Sequence, residues 1–279
     1  MEIKCWGSRG SVSVSGKEFL KYGGSTTCIE VTAASGETVI IDAGTGIRSL
    51  GADPAAGSKH HYHILFTHLH WDHIAGFTFF QPLLNEKCTV EIENRTFSGK
   101  PLKEILEYLI NPPFFPVTME AFKAGIHFRA PRTDRFSIGS LEIETVPLSH
   151  PGGGYGYKFM ENNRSFVFLT DNELAFDHPS SRGFDSFLNF SRDADLLFHD
   201  GEFTPDEYPA KTGWGHSSYT DVLDLAQRAN IRKLGLFHIN QERTDQQMDT
   251  IVHHCRTLIK KQKTPIDCFG VAAGMHFRL

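Results

Sequence analysis

The sequence predicts one mixed α/β domain in which a sheet packs against a second sheet and helices cover the outside. The chain of 279 residues is long enough to bury a sizeable core, and its 40% apolar and 22% charged residues are ordinary for a globular protein. β-like segments follow one another through short turns, which disfavours a purely parallel sheet because parallel strands need long crossovers. Helical patterns lie near the end of each half, as expected for helices that flank two sheets.

The first half is dominated by short segments rich in Val, Ile and Thr, which are typical of strands. They span residues 2–6, 27–33, 37–44 and 62–67, with glycine-rich loops at 7–16 and 22–27. An apolar stretch with helical potential follows at about 74–84. A helix is predicted over 101–110, because Pro101 suits its first turn and the segment NPPFFP at 111–116 must end it.

The second half alternates further strands with two longer helices. The predicted strands span 140–150, 155–160, 165–171, 195–201, 233–238 and 267–273. The helices span 217–230 and 244–262, and both carry apolar residues at intervals that indicate one buried face. Serine residues can cap the first helix, and Thr244 and Gln247 have the spacing of a capping box at the start of the second.

Charge and cysteine content restrict the functional class. The net charge is −5, whereas proteins that bind long nucleic acids usually carry a basic surplus. The five cysteines form no C-x-x-C pair, so neither a disulfide framework nor a four-cysteine zinc site is expected. The first residues lack a signal-peptide pattern and no apolar run could span a bilayer, so we expect a cytoplasmic protein without a membrane partner.

The segment FTHLHWDHIAG, residues 66–76, is the clearest candidate for chemistry. It follows an apolar strand, and in an extended chain His68 and His70 point the same way, so both imidazoles can meet one ion. Asp72 and His73 come next and suit a second ion nearby. Histidine and carboxylate ligands favour zinc, manganese or iron over a thiolate-type site. A single histidine at a strand end would be taken for a surface residue, but this spacing predicts a metal site.

Two ions need more ligands than this segment supplies, and other strand ends offer them. His150 ends TVPLSH, Asp171 ends FVFLTD and His238 ends LGLFH. Each of them alone would be taken for a turn residue. Because all of them are polar residues that terminate an apolar run, and because together they complete a ligand set, we expect them at the same metal centre.

The chain resembles the metallo-β-lactamase superfamily of dinuclear hydrolases. The matching segments, which cover most of the chain, are CWGSRGSVSVSG, IDAGTGIRSLG, THLHWDH, SHPGG, LTDNE, GHSS and LFH. The resemblance implies a single domain over residues 1–279 with the four-layer αββα sandwich of that family, and a modest insertion at about 97–135. It also implies two divalent metal ions at one edge between the sheets, with zinc expected first and manganese or iron as alternatives.

The same resemblance implies a role for each candidate ligand. The first ion would be bound by His68, His70 and His150. The second ion would be bound by Asp72, His73 and His238, with Asp171 as the bridge between the two. Asp42 in IIDAG matches a family position near the site, where it would orient a ligand histidine.

The second half of the chain resembles the phosphodiesterase branch of this superfamily, which includes RNase Z and cyclic-phosphate hydrolases of the PhnP type. In that branch a histidine of a Gly-His-Ser/Thr motif lies beside the metals and is held by an acidic residue. Here these residues are His216 in GWGHSS and Asp200 in HDGEF, and with Asp72 they are the predicted catalytic residues. His216 would stabilise phosphoryl charge or protonate the leaving oxygen. The alternative role of His216 is to cap the helix that follows it.

These features predict a metal-dependent phosphodiesterase that uses a metal-bound hydroxide on a small, cyclic nucleotide-like phosphodiester. The alternative is a tRNA 3′-end endoribonuclease like RNase Z, but no long tRNA-gripping arm is apparent and the net charge is −5. A binding module without turnover would be expected to lose ligands, and a di-iron redox protein would need a flavin domain. Phe114 and Phe115 in the insertion are candidates for a base pocket or for core packing, and a homodimer is left open.

Overall fold

Two seven-stranded sheets form the centre of the computed structural model, which describes residues 1–54 and 59–279. The strands, in chain order, are β1 (Glu2–Gly7), β2 (Cys28–Thr32), β3 (Thr38–Ile41), β4 (His61–Leu65), β5 (Thr89–Glu93), β6 (Thr96–Phe97), β7 (Lys100–Pro101), β8 (Gly125–Arg129), β9 (Arg135–Ile138), β10 (Leu141–Pro147), β11 (Tyr155–Glu161), β12 (Arg164–Leu169), β13 (Leu196–Asp200), β14 (Lys233–Phe237), β15 (Asp267–Gly270) and β16 (His276–Arg278). The α-helices are α1 (Gly46–Ala52), α2 (Trp71–Ile74), α3 (Leu102–Leu109), α4 (Phe184–Ser191), α5 (Tyr219–Arg228) and α6 (Asp245–Gln262).

Each sheet combines antiparallel and parallel pairs. The strand order is β16-β1-β2-β3-β4-β5-β8 in the first sheet and β15-β14-β13-β12-β11-β10-β9 in the second, and β6 pairs with β7 separately. In the first sheet the strands pair antiparallel from β16 to β3 and parallel from β3 to β8. In the second they pair parallel from β15 to β12 and antiparallel from β12 to β9. The carboxyl ends of the parallel strands open at one edge of each sheet, where α/β proteins bind ligands.

The apolar core lies in layers between and outside the sheets. The layer between the sheets contains side chains from both, including Ile3 and Ile41 of the first sheet and Phe166, Phe198 and Phe237 of the second. Residues of α1 and α3 pack on the outer face of the first sheet, and residues of α5 and α6 pack on the outer face of the second. The predicted order of helix, sheet, sheet and helix is confirmed.

The two long helices form as their apolar patterns predict. The buried residues of α6 recur at intervals of three and four, and they are Met248, Ile251, Val252, Cys255 and Ile259. The side-chain oxygen of Thr244 accepts a hydrogen bond from the Gln247 N–H, and the Gln247 side chain accepts one from the Thr244 N–H. This reciprocal pair is the predicted capping box. Ser218 caps α5 by accepting a hydrogen bond from the Asp221 N–H.

The apolar stretch after the histidine motif is not the helix that its composition suggests. α2 ends at Ile74, and separate 3₁₀ turns follow at Phe77–Phe79 and Gln81–Leu84. The chain turns at Gly76, which packs so closely that a Cβ there would lie 2.1 Å from the carbonyl oxygen of Gly44. Pro82 has no N–H to continue an α-helical ladder. The break keeps α2 to a single turn beside the histidines.

Other differences from the sequence prediction lie at strand ends and sheet edges. The predicted strands 37–44, 62–67 and 165–171 end at Ile41, Leu65 and Leu169, because the residues that follow turn towards the histidine and aspartate cluster. The sequence patterns do not predict α1, α4, β5, β8, β9 and β16. Of these, β8, β9 and β16 are edge strands with few buried residues, so they lack the apolar alternation that marks a strand.

Two further features concern the cysteines and the helices. All five cysteines are buried and free. Among the residues that the structure describes, no helix is both long and apolar enough to cross a membrane.

The phenylalanine cluster between the sheets gives a test of the core. The Phe198 side chain is fully buried, and its ring centroid lies 5.1 Å from that of Phe166 and 6.0 Å from that of Phe237. Phe198→Ala is therefore expected to lower the free energy of unfolding by about 3–5 kcal/mol, measured by chemical denaturation. Leu20→Ala, at a side chain that is 78% exposed, is the control and should change it by less than about 0.5 kcal/mol. An equally small loss for both variants would contradict this packing.

Candidate metal centre

The predicted metal ligands converge at the edge where the parallel strands end. His68, His70, Asp72 and His73 follow β4 of the first sheet, whereas His150, Asp171 and His238 follow β10, β12 and β14 of the second. The structure brings them into two groups that share Asp171, and in each group the potential ligand atoms lie within 4.8 Å of one another. The centre is therefore assembled between the two sheets.

The first group contains His68, His70, His150 and Asp171. The Nε2 atom of His150 lies 3.1 Å from Nδ1 of His70 and 4.0 Å from Oδ2 of Asp171. The Nε2 atom of His68 lies 3.5 Å from the same aspartate oxygen. Bonds from zinc to nitrogen or oxygen are about 2 Å long, so ligand atoms of one ion stand about 3–4 Å apart. The separations in this group match that spacing.

The second group contains Asp72, His73, Asp171 and His238. The Nε2 atom of His73 lies 3.2 Å from Oδ2 of Asp72 and 3.3 Å from Oδ1 of Asp171. The Nε2 atom of His238 lies 3.1 Å from Oδ2 of Asp72 and 3.3 Å from Oδ2 of Asp171. Asp171 thus has histidines of both groups within reach of its carboxylate, as a bridging ligand requires.

The hydrogen bonds of the histidines leave their inner nitrogens free for a metal. Nδ1 of His73 lies 2.8 Å from Oδ2 of Asp42. Nδ1 of His150 lies 2.9 Å from the carbonyl oxygen of Gly215, and Nδ1 of His238 lies 3.0 Å from Oε2 of Glu202. Such outer partners fix the tautomer and turn the Nε2 lone pair inwards. The Nε2 atoms of His68 and His73 are buried without a hydrogen-bond partner. Orphaned inner nitrogens beside carboxylates fit divalent metal ions.

Burial and neighbouring charges favour the metal-binding protonation state at the histidines of the first group and at both aspartates. Burial, together with the adjacent imidazoles, holds the pKa of His68 well below its usual value, and burial lowers the pKa of His150 to about 4. Burial alone would raise the pKa of Asp72 and Asp171, but the facing histidines outweigh it and hold both pKa values well below the usual range. At His73 and His238 burial alone would lower the pKa, but the facing carboxylates outweigh it and hold both pKa values well above the usual range, so an ion bound there displaces a proton. Neutral imidazole and ionised carboxylate are the forms that coordinate metal.

Three residues of the centre have left-handed backbone conformations, which residues with a side chain rarely adopt. The φ angle is 62° at Asp42, 50° at Asp171 and 53° at His238. They follow the ends of β3, β12 and β14, so the chain leaves each strand through a sharp turn. Backbone strain of this kind persists where surrounding contacts impose it, and it clusters at functional sites. Here the contacts among the histidines and carboxylates impose it.

Two glycine-containing loops approach the ligands too closely for any side chain. A Cβ at Gly10 would lie 2.3 Å from Nδ1 of His238. A Cβ at Gly215 would lie 2.1 Å from Nδ1 of His150, and φ at Gly215 is +93°. The N–H of Ser11 donates a hydrogen bond of 2.9 Å to Oδ2 of Asp72. The loops at 7–16 and 213–216 therefore support the ligands from outside.

The predicted catalytic pair lies beside both groups. The Nδ1 atom of His216 lies 2.7 Å from Oδ2 of Asp200, and the ring of His216 stacks on that of His238 with centroids 4.7 Å apart. Burial alone would lower the pKa of His216, but Asp200 and Glu202 outweigh it and raise the pKa to about 9. Because Nδ1 faces Asp200, Nε2 is the nitrogen left for a substrate. Ser218 rather than His216 caps α5.

Glu202 belongs to the site although the sequence prediction omits it. Its buried carboxylate lies 3.0 Å from Nδ1 of His238 and 3.4 Å from Nδ1 of His216, and it accepts a hydrogen bond of 2.7 Å from the Asn240 side chain. Its place two residues after Asp200, in the same HDGEF segment, is the signal that could have found it. Glu202 supports one predicted ligand and the predicted catalytic histidine together.

Glu173 is a second residue that the sequence prediction omits. Its carboxylate accepts hydrogen bonds of 2.7 Å from the N–H groups of Gly213 and Gly215 and of 2.7 Å from the Tyr208 hydroxyl. It also lies 3.0 Å from Nε2 of His178. These bonds fix the loop whose Gly215 carbonyl faces His150 and whose next residue is His216. Its position in LTDNE, two residues after Asp171, gave the only sequence signal.

A separate group of His61, His63 and Glu91 lies on the first sheet. Its surroundings differ from those of the two groups above, since His61 is exposed. Glu91 already pairs with the Arg129 guanidinium at 2.6 Å. The carboxylate of this group is therefore neutralised by a cation of the protein itself.

Comparison with known proteins identifies the family. A family model described as a beta-lactamase superfamily domain matches residues 37–239, a span that includes every predicted metal ligand. The chain belongs to the metallo-β-lactamase superfamily. It is accordingly a metal-dependent hydrolase of that fold, with buried histidine and aspartate clusters that are consistent with a dinuclear metal site.

Relatives and solved structures agree with this family and fold. The ribonuclease Z of Methanosarcina acetivorans is 42% identical over an alignment that covers 75% of this chain and 80% of the relative. The metallo-β-lactamase fold protein YhfI from Bacillus subtilis superposes with a TM-score of 0.70 at 16% identity, covering 99% of this chain and 98% of that one. A diphosphatase of the PhnP family superposes with a TM-score of 0.68 at 18% identity, covering 100% and 97%. At these identities, the two structures establish the fold alone.

Asp42 offers a test of how the second ion is supported. Its Oδ2 atom lies 2.8 Å from Nδ1 of His73, and its Oδ1 atom accepts a hydrogen bond of 2.7 Å from the Thr67 N–H. Asp42→Asn keeps the volume but removes the charge that orients His73, so the affinity for the second ion should fall roughly 10- to 100-fold. Competition with a chromogenic chelator measures this affinity.

The matched control is Asp249→Asn on α6, where the carboxylate binds Lys21 and Tyr22 outside both metal groups. It should leave both affinities unchanged. If Asp42→Asn binds two ions as tightly as the control, Asp42 does not orient a metal ligand.

Proposed function

We propose that this hydrolase is a dinuclear phosphodiesterase, with zinc as the first expected metal, that acts on a small phosphodiester such as a cyclic nucleotide. The observation that carries the proposal is the position of His216. Its ring centroid lies 4.7 Å from that of His238 and 5.3 Å from that of His150, which are candidate ligands of different ions. An imidazole held by a buried carboxylate beside two metal groups is suited to proton transfer at a leaving oxygen.

The residues would divide the reaction between them. When bound by the two groups, the ions supply Lewis acidity that neutralises phosphoryl charge and lowers the pKa of water. Nδ1 of His216 donates a hydrogen bond of 2.7 Å to Oδ2 of Asp200, so Nε2 donates a proton to the departing alcohol oxygen. The N–H of Ser11 fixes Oδ2 of Asp72 at 2.9 Å, so Asp72 contributes as an oriented ligand. Glu202 contacts Nδ1 of both His216 and His238 and so fixes the orientation of the two rings.

A small substrate suits the charge of the chain and the surroundings of the centre. The net charge of −5 disfavours a long polyanion. The pocket beside Trp71 is lined by aromatic and aliphatic side chains, and no cation is among its described lining residues.

The alternative is tRNA 3′-end processing, and one observation favours it. The Methanosarcina acetivorans relative, 42% identical over most of both chains, is named a ribonuclease Z. Both reactions break a phosphodiester at the same kind of centre, so the metal ligands do not discriminate between them. The substrate does.

A substrate panel tests the proposed function. Metal-loaded protein is incubated with 2′,3′- and 3′,5′-cyclic nucleotides, bis-p-nitrophenyl phosphate and a precursor tRNA, with and without a chelator. We expect chelator-sensitive hydrolysis of the cyclic nucleotides at rates well above those for the tRNA. Efficient cleavage of precursor tRNA alone would favour the alternative function. Hydrolysis of none of the phosphodiesters would contradict both.

His216 tests the mechanism on whichever phosphodiester the panel identifies. His216→Ala removes the proton donor and should lower kcat by about 10²- to 10⁴-fold. Both ions should remain bound, because His216 faces Asp200 rather than the shared Asp171. Elemental analysis checks the metal content. His253→Ala, at an exposed histidine of α6, is the control and should retain full activity. A loss of metal in His216→Ala would make His216 a ligand instead.

A further inference from the structure

The metal centre is open on the side of His70. This histidine is exposed, whereas His68, Asp72, His73, His150, Asp171 and His238 are buried. The next residue along the chain is Trp71, and its side chain is 63% exposed. Along the chain, Trp71 stands between His70, a candidate ligand of the first ion, and Asp72, a candidate ligand of the second, so a molecule in contact with its indole is held by the same segment that carries four candidate ligands.

An apolar cavity of about 280 Å³ adjoins Trp71. Its walls include Phe79 from the turn after α2, Leu106 from α3, and Ile110 and Phe114 from the chain after α3. None of the described residues that line the cavity is charged. The cavity therefore offers no charged side chain to a phosphate among its described lining residues, but it offers aromatic surfaces to a flat, apolar group.

The aromatic side chains of the cavity are held in place yet remain accessible. Phe114 is 58% exposed and packs against Tyr108 with ring centroids 5.5 Å apart. Phe79 is 60% exposed and meets the partly buried Phe115 edge to face at 6.2 Å. Exposed aromatic residues concentrated around one cavity mark a binding site more often than chance exposure does. Phe115 thus serves as a fixed wall, and Trp71, Phe79 and Phe114 present the open surface.

We propose that this cavity binds the base of a nucleotide whose phosphodiester lies at the metal centre. The proposal depends on the proposed function for the position of the phosphate. Stacking on aromatic side chains is the contact that every nucleobase can make, whatever its hydrogen-bonding pattern. The cavity is concave and small, and one wall is formed by Trp71 and Ile74, which flank the candidate ligands Asp72 and His73 in α2. These features suit one ring system of the substrate better than a second copy of the chain.

A binding experiment tests the cavity without requiring turnover. Isothermal titration compares adenosine 5′-monophosphate with ribose 5-phosphate, which carries the same phosphate and sugar but no base. The metal-loaded chain should bind the nucleotide at least about tenfold more tightly, as expected for one stacked base. Trp71→Ala and Phe114→Ala should each remove most of this preference, and Trp71→Phe should retain much of it. Equal affinity of the parent chain for the two compounds would overturn the proposal.

The ratio of the affinities for the nucleotide and for ribose 5-phosphate distinguishes a loss of stacking from a change in metal binding. Trp71 is flanked by metal ligands, so its variants are compared at equal metal content determined by elemental analysis. A change in metal binding alters the affinities for both compounds, whereas loss of stacking alters only that for the nucleotide. Leu20→Ala, an exposed apolar position outside the cavity, is the control and should keep the parental ratio.

Hydrolysis then separates this proposal from the proposed function. Cyclic nucleotides are compared with glycerol cyclic phosphate, which has no base. Trp71→Ala should raise KM for the nucleotide about tenfold more than KM for the glycerol compound. If the parent chain prefers the nucleotide in binding but hydrolyses neither compound, the cavity is supported and the proposed function fails. If Trp71→Ala or Phe114→Ala instead converts a dimer into a monomer in light scattering, the cavity is an interface between copies and the proposal is overturned.

Discussion

The carboxylate of Asp171 is the contact on which the metal centre depends. It lies within 4.0 Å of the Nε2 atoms of four histidines, two from the segment after β4 and two from the second sheet. An isolated buried carboxylate would be costly, because burial removes its hydration without replacement. The facing imidazoles, and the ions they fit, compensate this cost only if strand ends from both sheets meet at one point. The packing of sheet on sheet is thus coupled to the chemistry of one side chain.

Hydrogen bonds between the two sheets lie next to the histidine segment and fix the position of one sheet on the other. The Tyr157 hydroxyl of β11 donates a hydrogen bond of 2.7 Å to the carbonyl oxygen of Phe66, and the Tyr155 N–H donates one of 2.9 Å to that of Thr67. These bonds connect the second sheet to the residues just before His68. Outside them, Glu173 fixes the loop of Gly215, and Glu202 joins His216, the proposed catalytic residue, to the candidate ligand His238. The orienting groups come from loops and the candidate ligands come from strand ends. The centre therefore forms only if the loops and the strand ends are both correctly placed.

The sequence predicts well which histidines and aspartates the structure brings together, because their pattern is local. It predicts the residues that support them poorly, because those contacts are not local. The spacing of His68, His70, Asp72 and His73 is set within one turn of chain, and His238 ends a recognisable apolar strand. The left-handed φ of Asp42, Asp171 and His238 depends on tertiary contacts that no local pattern encodes. Glu202 and Glu173 look like ordinary acidic residues of loops until the strands bring His238 and Gly215 to them. The sequence patterns do not predict the edge strands β8, β9 and β16 for a related reason. Few of their residues are buried, and only their pairing with a neighbouring strand defines them.

The surroundings of the centre explain how one metal platform can serve different substrates. The candidate ligands are tied to strand ends whose positions follow from the core, and a change there would disturb both groups of ligands. The cavity beside Trp71 is built instead from single turns after α2 and from α3 and the residues after it, and its side chains Trp71, Phe79 and Phe114 are exposed rather than part of the core. Substitutions in this segment can alter the shape of the cavity without moving Asp171. Loops of this kind tolerate change and carry specificity for that reason. The aromatic character of these residues, set against the net charge of −5, is therefore the feature of this chain that most directly argues for a small, base-containing substrate over a long nucleic acid.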